Sequence, residues 1–243
     1  MSAHGARARV RAELTREITD AARRHLAAEG AAGLSLRAVA RELGMASSAV
    51  YRYFPSRDDL LTRLIIEAYD ALGEAAERAE GRVDRADLRG RLRATCSAAR
   101  TWALAHPHEY ALVYGSPVPG YAAPEATIGP AGRVGLLLCR IVADALPAAP
   151  AAGTGAGQAA GGDAVPAATP AGTGPAGLLA PGLAARMGLP EGTDAAERAI
   201  LVWVSLFGLI GFELFGHTNN VVVAHEEFMN RAVRRWADEL GLP

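Results

Sequence analysis

The chain has no lysine: all 25 of its basic residues are arginines. With the heavy use of alanine and glycine, that bias points to a GC-rich genome rather than to a mechanism. Cysteine is nearly missing. The two present, Cys96 and Cys139, are too few for a disulfide framework and fall inside helical patterns, so reduced, buried thiols are expected. Long apolar runs are missing too. The longest uncharged helical stretch, Ala199 to Phe212, has 14 residues, short of the ~18 needed to span a membrane. The first residues lack the apolar segment and cleavage site of a secretory signal, so a soluble, cytoplasmic protein with no membrane partner is expected. No glycine-rich phosphate loop, nucleophile elbow or supported Cys–His pair is present, which argues against an enzyme. His106 and His108, beside Glu109, straddle Pro107 and do not share a helix face, so neither a metal site nor a cofactor is expected.

Aromatics are scarce at 6%, while half of the residues are apolar. Cores must then be built from alanine, leucine and valine, which suits helices. With 243 residues there is room for one large domain or two ordinary ones. The net charge of −1 hides an asymmetry. Up to Arg57 there are ten arginines against five acidic residues, and beyond it fifteen against twenty-one. A basic end joined to an acidic remainder is the pattern of a chain in which one part meets phosphate and the other does not.

The basic end carries the most informative stretch, Leu34 to Asp59. Ser35 is placed to cap a helix whose inward residues are Leu36, Val39, Ala40 and Leu43. Gly44 ends it, free to take the left-handed conformation of a sharp turn. Val50 and Phe54 give the next helix its buried side, and Ala40 is small where the two cross. This is a helix-turn-helix pattern over 35–54, whose second helix enters the DNA major groove. Before it, Val10, Leu14, Ile18, Ala21, Ala22 and Leu26 recur at helical spacing up to Gly30. After it, Ser56 with Asp59 forms a cap for a helix striped by Leu60, Leu61, Leu64, Ile65, Ala68 and Leu72. On Gly30, Leu36, Ala40, Gly44, Tyr51, Phe54 and the run Pro55–Leu61, the chain resembles the TetR family of transcriptional repressors. The resemblance implies an all-α protein: a three-helix DNA-binding domain (11–72) joined by a long helix to a helical effector-binding and dimerisation domain (80–243).

Further helices are expected from Asp87 to Ala105 and from Ile128 to Leu146, flanking an aromatic- and proline-rich run from His108 to Pro124. From Ala149 to Gly177, 23 of 29 residues are alanine, glycine or proline, the composition of a flexible insertion. Asp194 with Glu197 then starts a capped helix, apolar almost all round, that must be covered on two sides. An amphipathic helix from Glu226 to Leu240 follows. A symmetric dimer built on these last two helices would use Leu206, Phe212, Phe228, Ala232 and Trp236. The second half also resembles a C-terminal domain type marked by a Trp-His-Gly signature: Trp203, Leu206 and Gly208 fit it, with Phe207 in the histidine's place. His106-Pro107 with Pro117, Pro119, Gly120 and Tyr121 fit that type's second run.

Ser47, Ser48 and Ala49 open the helix that meets base edges, and all three are small, so direct readout should be limited. Ala46 stands where a Ser or Thr cap is usual. Tyr51 and Tyr53, flanking Arg52, are expected on phosphates. The resemblance places Arg57 there as well, and Arg37 adds a further backbone contact. Arg7, Arg9 and Arg11 could reach the DNA from a disordered arm. Trp102, Tyr110, Tyr114, Trp203 and Phe207 are the candidates to line a mainly apolar effector cavity, with Gly208 and Gly211 leaving it room. The implied function is a homodimeric one-component regulator that is released from a double-stranded, inverted-repeat operator by a small apolar effector. The alternative is a helical small-molecule-binding or scaffold protein without specific DNA binding; salt-dependent affinity for duplex DNA separates the two.

Overall fold

In the computed structural model, residues 3–146 and 178–243 are described. The insertion expected at 149–177 lies outside the described residues. Among them are ten α-helices, a single 3-10 turn (Glu125–Thr127) and no strand.

Helix α1 (Ala3–Gly33) turns its buried side, Ile18, Ala21, Ala22 and Leu26, inward, while Val10 is 55% exposed. Arg7, Arg9 and Arg11 therefore stand on a helix, not on a disordered arm. Gly30, at φ 71° and ψ 175°, breaks it before its end. Helices α2 (Leu36–Glu42) and α3 (Ser47–Tyr51) form the tight pair the sequence outlines. Gly44, at φ 64°, makes the turn, and the Met45 N–H donates to Ala40 O at 2.9 Å. Ser35 holds the cap position of α2, but its side chain makes no capping hydrogen bond, and Ala46 leaves α3 equally uncapped. The start of α4 (Arg57–Glu80) is better secured. The Asp59 N–H donates to Ser56 Oγ at 3.1 Å, and the Ser56 N–H donates back to the Asp59 carboxylate at 2.9 Å.

Two apolar cores result. The first gathers Ile18, Leu36, Val39, Val50, Phe54, Leu60, Leu61 and Leu64. The second joins Ala68, Leu72 and Ala76 of α4 to α5 (Leu88–Ala105), α7 (Ile128–Ala145), α9 (Ala195–Leu214) and α10 (His225–Glu239). Helix α4 thus runs through both. So does α6 (Pro107–Tyr114), which buries Tyr110 in the second core and Leu112 in the first. A short α8 (Leu183–Arg186) lies before α9.

By length and hydropathy alone, Glu125–Ala145 and Ala195–Leu214 could each cross a membrane. Counting uncharged runs concealed this because both include charges. Several of those charges are paired inside the fold: the Arg100 guanidinium of α5, for one, grips Glu213 of α9 with two hydrogen bonds, at 2.8 and 2.5 Å. Asp194, just before α9, does not cap it but pairs with Arg198 at 2.6 Å. One side of α9 (Val202, Leu206, Phe207, Ile210) sits in the core, while Leu201, Val204 and Phe212 stay more than half exposed. Leu206 (0% exposed) and Trp236 (9%) accordingly belong to the protomer's own interior and not to a subunit interface. Phe228 is exposed and Ala232 half-buried on α10.

Helices α4 and α7 cross closely at Gly73. A Cβ there would come within 2.8 Å of the Arg133 Cβ, and the Arg133 guanidinium clasps Glu77 and Asp70 of α4. Its hydrogen bonds hold the Glu77 carboxyl below the usual carboxylate range, outweighing the opposing effect of burial. Gly73→Ala should therefore destabilise the protein. It gains up to ~1 kcal/mol of helix propensity but overpacks the crossing at about 1–3 kcal/mol, a net drop of roughly 2–4 °C in Tm. The added Cβ would also meet the Arg133 Nε at 2.7 Å and push the guanidinium off Glu77; because a depressed carboxylate stabilises only while ionised, that part of the difference from the parent should fade as pH falls below 4.5. Thermal melts at pH 7 and in acid check both effects.

Candidate DNA interface and effector cavities

The residues expected at DNA divide into three groups. Ser47, Ser48, Tyr51, Arg52 and Arg37 are exposed, Ala49 is half-buried, and no side-chain capping bond engages Ser35. Together they form a free face around the start of α3. Tyr53 is half-buried against the first core, with the Arg11 guanidinium 5.2 Å above its ring. That contact brings the N-terminal part of α1 alongside the end of α3.

Arg57 departs from expectation. Its Nε–H donates to Leu34 O at 3.1 Å and its Nη2 to Ala31 O at 2.7 Å. Those carbonyls lie beyond the Gly30 break at the end of α1, where Ala31 O otherwise accepts from the Leu34 N–H at a long 3.4 Å. The arginine is thus a tie between the end of α1 and the first turn of α4, rather than a free phosphate contact. A second link is the Arg23 guanidinium of α1, which contacts Glu67 of α4 at 2.5 Å and Glu109 of α6 at 3.7 Å.

Behind this unit, a cavity of about 610 Å³ opens between α4, α6, the loop after α6, α7 and α9. Ile65, Tyr69, Leu112, Val113, Tyr121 and Trp203 line it. Its tyrosine hydroxyls are engaged in the wall: Tyr69 donates to Val113 O at 3.1 Å, and Tyr121 shares a 2.8 Å hydrogen bond with Thr62. A second hollow of about 420 Å³ lies on the outer side of α9, lined by Tyr114, Trp203, Phe207, Gly208 and Phe212. Tyr114 stacks on Phe207 there with ring centres 4.1 Å apart.

Of the five aromatics expected at a cavity, Trp203 lines both hollows, and Tyr114 and Phe207 line the outer one. Tyr110 lines neither. It is fully buried and its hydroxyl donates to Phe207 O at 2.6 Å, so it props α9 from behind; burial pushes that phenol far above its ordinary pKa. Trp102 lines neither of these but a smaller hollow of about 280 Å³, where it stacks on His106 at 5.0 Å beside Arg23, Glu67 and Glu109, because the end of α5 faces the α1–α4 junction. Gly208 faces open space rather than the α5 and α7 side, whereas Gly211 abuts the Tyr110 hydroxyl. Sequence reasoning missed Tyr69, Leu112 and Val113. Tyr69 flanks the apolar stripe of α4, and the other two lie in the aromatic run after His106, but neither signal says that the two segments meet.

Burial pushes the Cys96 thiol up to about 12 and that of Cys139 to about 11, so neither is a ready nucleophile. His106 Nδ1 is engaged with Trp102 O at 2.9 Å.

Comparison with known proteins connects these features. A family model for bacterial regulatory proteins of the tetR family matches residues 18–64, and one for the tetracyclin repressor-like C-terminal domain matches residues 92–236. The HTH-type transcriptional regulators Rv1816 of Mycobacterium tuberculosis and Mb1846 of Mycobacterium bovis are each 38% identical over 213 residues, 87% of this chain and 85% of theirs. Among solved structures, the regulatory protein SCO4313 superposes with a TM-score of 0.70 at 26% identity, covering 95% of this chain and 98% of its own. A Rhodococcus protein of unknown function shares the fold, with a TM-score of 0.64 at 23% identity over 93% and 94% of the two chains.

Arg57→Ala should release the end of α1 and cost about 1–2 kcal/mol, since each lost bond is charge-assisted but partly solvated. Affinity for any duplex should fall uniformly while its salt dependence keeps the parent slope. Anisotropy titrations at several salt concentrations, with thermal melts, test this. A slope shallower by about one ion would instead return Arg57 to the phosphates.

Proposed function

Because this chain belongs to the TetR family of transcriptional regulators, DNA-binding proteins with an N-terminal helix-turn-helix, we propose that it is a homodimeric repressor. It holds an inverted-repeat operator and leaves it when a small, mostly apolar effector enters the C-terminal domain. The observation that carries this reading is the double membership of α6. Its Leu112 packs into the DNA-binding core and its Tyr110 into the C-terminal core, and Leu112 and Val113 also line the large cavity. A ligand that shifts α6 must strain or relieve the packing of α1 and α4, so it can favour one spacing of the two DNA-binding units over another.

On this reading residues 11–72 form the DNA-binding unit and 80–243 the effector and dimerisation domain. Operator contact rests on Ser47, Ser48, Ala49, Tyr51, Arg52, Arg37 and Tyr53, and the smallness of the first three makes phosphate contacts the larger share of affinity. The exposed stripe Leu201, Val204 and Phe212, continued by Phe228, supports a two-fold interface on α9 and α10. Trp203, Leu206 and Gly208, with Phe207 for histidine, support placing the domain in the Trp-His-Gly group, here with a more apolar site. The regulator acts in the cytoplasm, where its DNA is.

Selecting bound genomic fragments and reading their shared sequence defines the operator; loss of that binding on titration with apolar compounds then tests release. An inverted repeat is expected, and fragments without common symmetry count against the dimeric repressor. The interface has its own test. Phe212→Glu places a charge where a lone protomer is solvated, so folding should survive, yet the same charge is desolvated in a dimer at a cost of several kcal/mol. Light scattering should show folded monomers with operator affinity lost, and a persistent dimer would refute the interface. Leu206→Glu, by contrast, should unfold the protomer.

A further inference from the structure

Trp203 has a hydrogen bond left unmade. Its Nε1–H is buried and finds no acceptor among the described residues, although buried donors are nearly always paired. The indole also lines a third hollow, of about 430 Å³, that the reading above does not use. This hollow runs between Gly129, Gly132 and Gly135 of α7 and Ala199 and Ile200 of α9. A Cβ at Gly129 would meet nothing within 4 Å, and one at Gly135 would lie 3.7 Å from the indole Nε1. The glycines thus bare the α7 backbone along the hollow and set the unpaired N–H at its wall. Ile128, Gly132 and Trp203 line both this hollow and the 610 Å³ cavity, so the two adjoin at the indole.

The chemistry of the walls selects a ligand. Among the described residues, no charged side chain lines the large cavity, and one lines the α7–α9 hollow: Arg186, exposed in the last turn of α8 and without a carboxylate partner among those residues. We infer that the joined hollows take an elongated apolar molecule with an anionic head. Its body lies along the α7 glycines toward Tyr69 and Leu112. The head's oxygens accept from Trp203 Nε1–H and meet the Arg186 guanidinium of the same hollow at the solvent edge, where neither charge need be fully dehydrated. The residues of α7 lining the two hollows, Ile128 to Cys139, span about 16 Å at 1.5 Å per residue, room for an extended chain rather than a compact ring. The inference rests on the effector-released regulator proposed above and supplies its ligand class.

Calorimetric titration of the full chain with dodecanoate, 1-dodecanol and dodecyltrimethylammonium, all below their micellar concentrations, tests it. Dodecanoate should bind roughly tenfold more tightly than the other two, the equivalent of one charge-assisted contact. Arg186→Gln should remove that preference and leave dodecanol affinity unchanged. Gly132→Leu should abolish binding of all three while melting and binding duplex DNA like the parent. If that variant fails to fold, Gly129→Leu, whose side chain starts in open space, carries the same expectation. Equal affinity for acid and alcohol in the parent, or dodecanoate binding to the folded leucine variant at parental strength, would overturn the site. Dodecanoate binding that obeys both variants but leaves operator affinity unchanged keeps the site and overturns effector release. Release by another compound that Gly132→Leu does not block keeps release and overturns the site.

Discussion

Two apolar cores share two helices, and everything else in the protein depends on that sharing. Helix α4 is a single run from Arg57 to Glu80 whose first half closes the DNA-binding core and whose second half closes the C-terminal one. Helix α6 does the same within eight residues, through Leu112 on one side and Tyr110 on the other. Packed interiors do not deform continuously. A displacement of α6 in one core must therefore appear as a displacement in the other. Arg57 on Ala31 and Leu34, and Arg23 on Glu67 and Glu109, fasten α1 to the same two helices. The helix-turn-helix is thus tied at several points to the helices that border the cavity.

Arginine serves the fold as much as it serves DNA. The buried Arg91 joins Glu80 and Asp144, Arg100 grips Glu213, and Arg133 grips Glu77 and Asp70. Arg91 links three helices and the other two link pairs, each through a planar fork that lysine could not reproduce. In a chain without lysine, the charge asymmetry between its ends still marks the DNA-binding part. It does not say which arginine faces phosphate, since Arg23 and Arg57 in the basic part face carboxylates and carbonyls.

Helix α9 shows the limit of reading a face from hydropathy. Its apolar residues go round the whole helix, so the pattern offers no orientation. Packing against α5, α7 and α10 buries Val202, Leu206 and Ile210 and leaves Leu201, Val204 and Phe212 outside. Whichever of these sets faced the core, the other was left for a partner. That is why Leu206 looked like an interface residue, whereas only exposed residues such as Phe212 are free for the proposed interface.

The helix-turn-helix, the Ser56–Asp59 cap and the all-helical class were legible because each depends on contacts within a few residues: a glycine at positive φ, a capping oxygen three residues from its donor, and a stripe at helical spacing. The cavities were not, because Tyr69, Leu112 and Trp203 lie far apart along the chain and meet only when α4, α6, α7 and α9 pack. The same holds for Trp102, which the end of α5 carries to a separate hollow beside the charged Arg23, Glu67 and Glu109. Local sequence determined the helices, their caps and the DNA-reading turn, because backbone geometry and short-range hydrogen bonds are set by near neighbours. Tertiary structure decided which side of each helix was buried and which arginine found which partner, because those outcomes depend on surfaces that distant segments bring together.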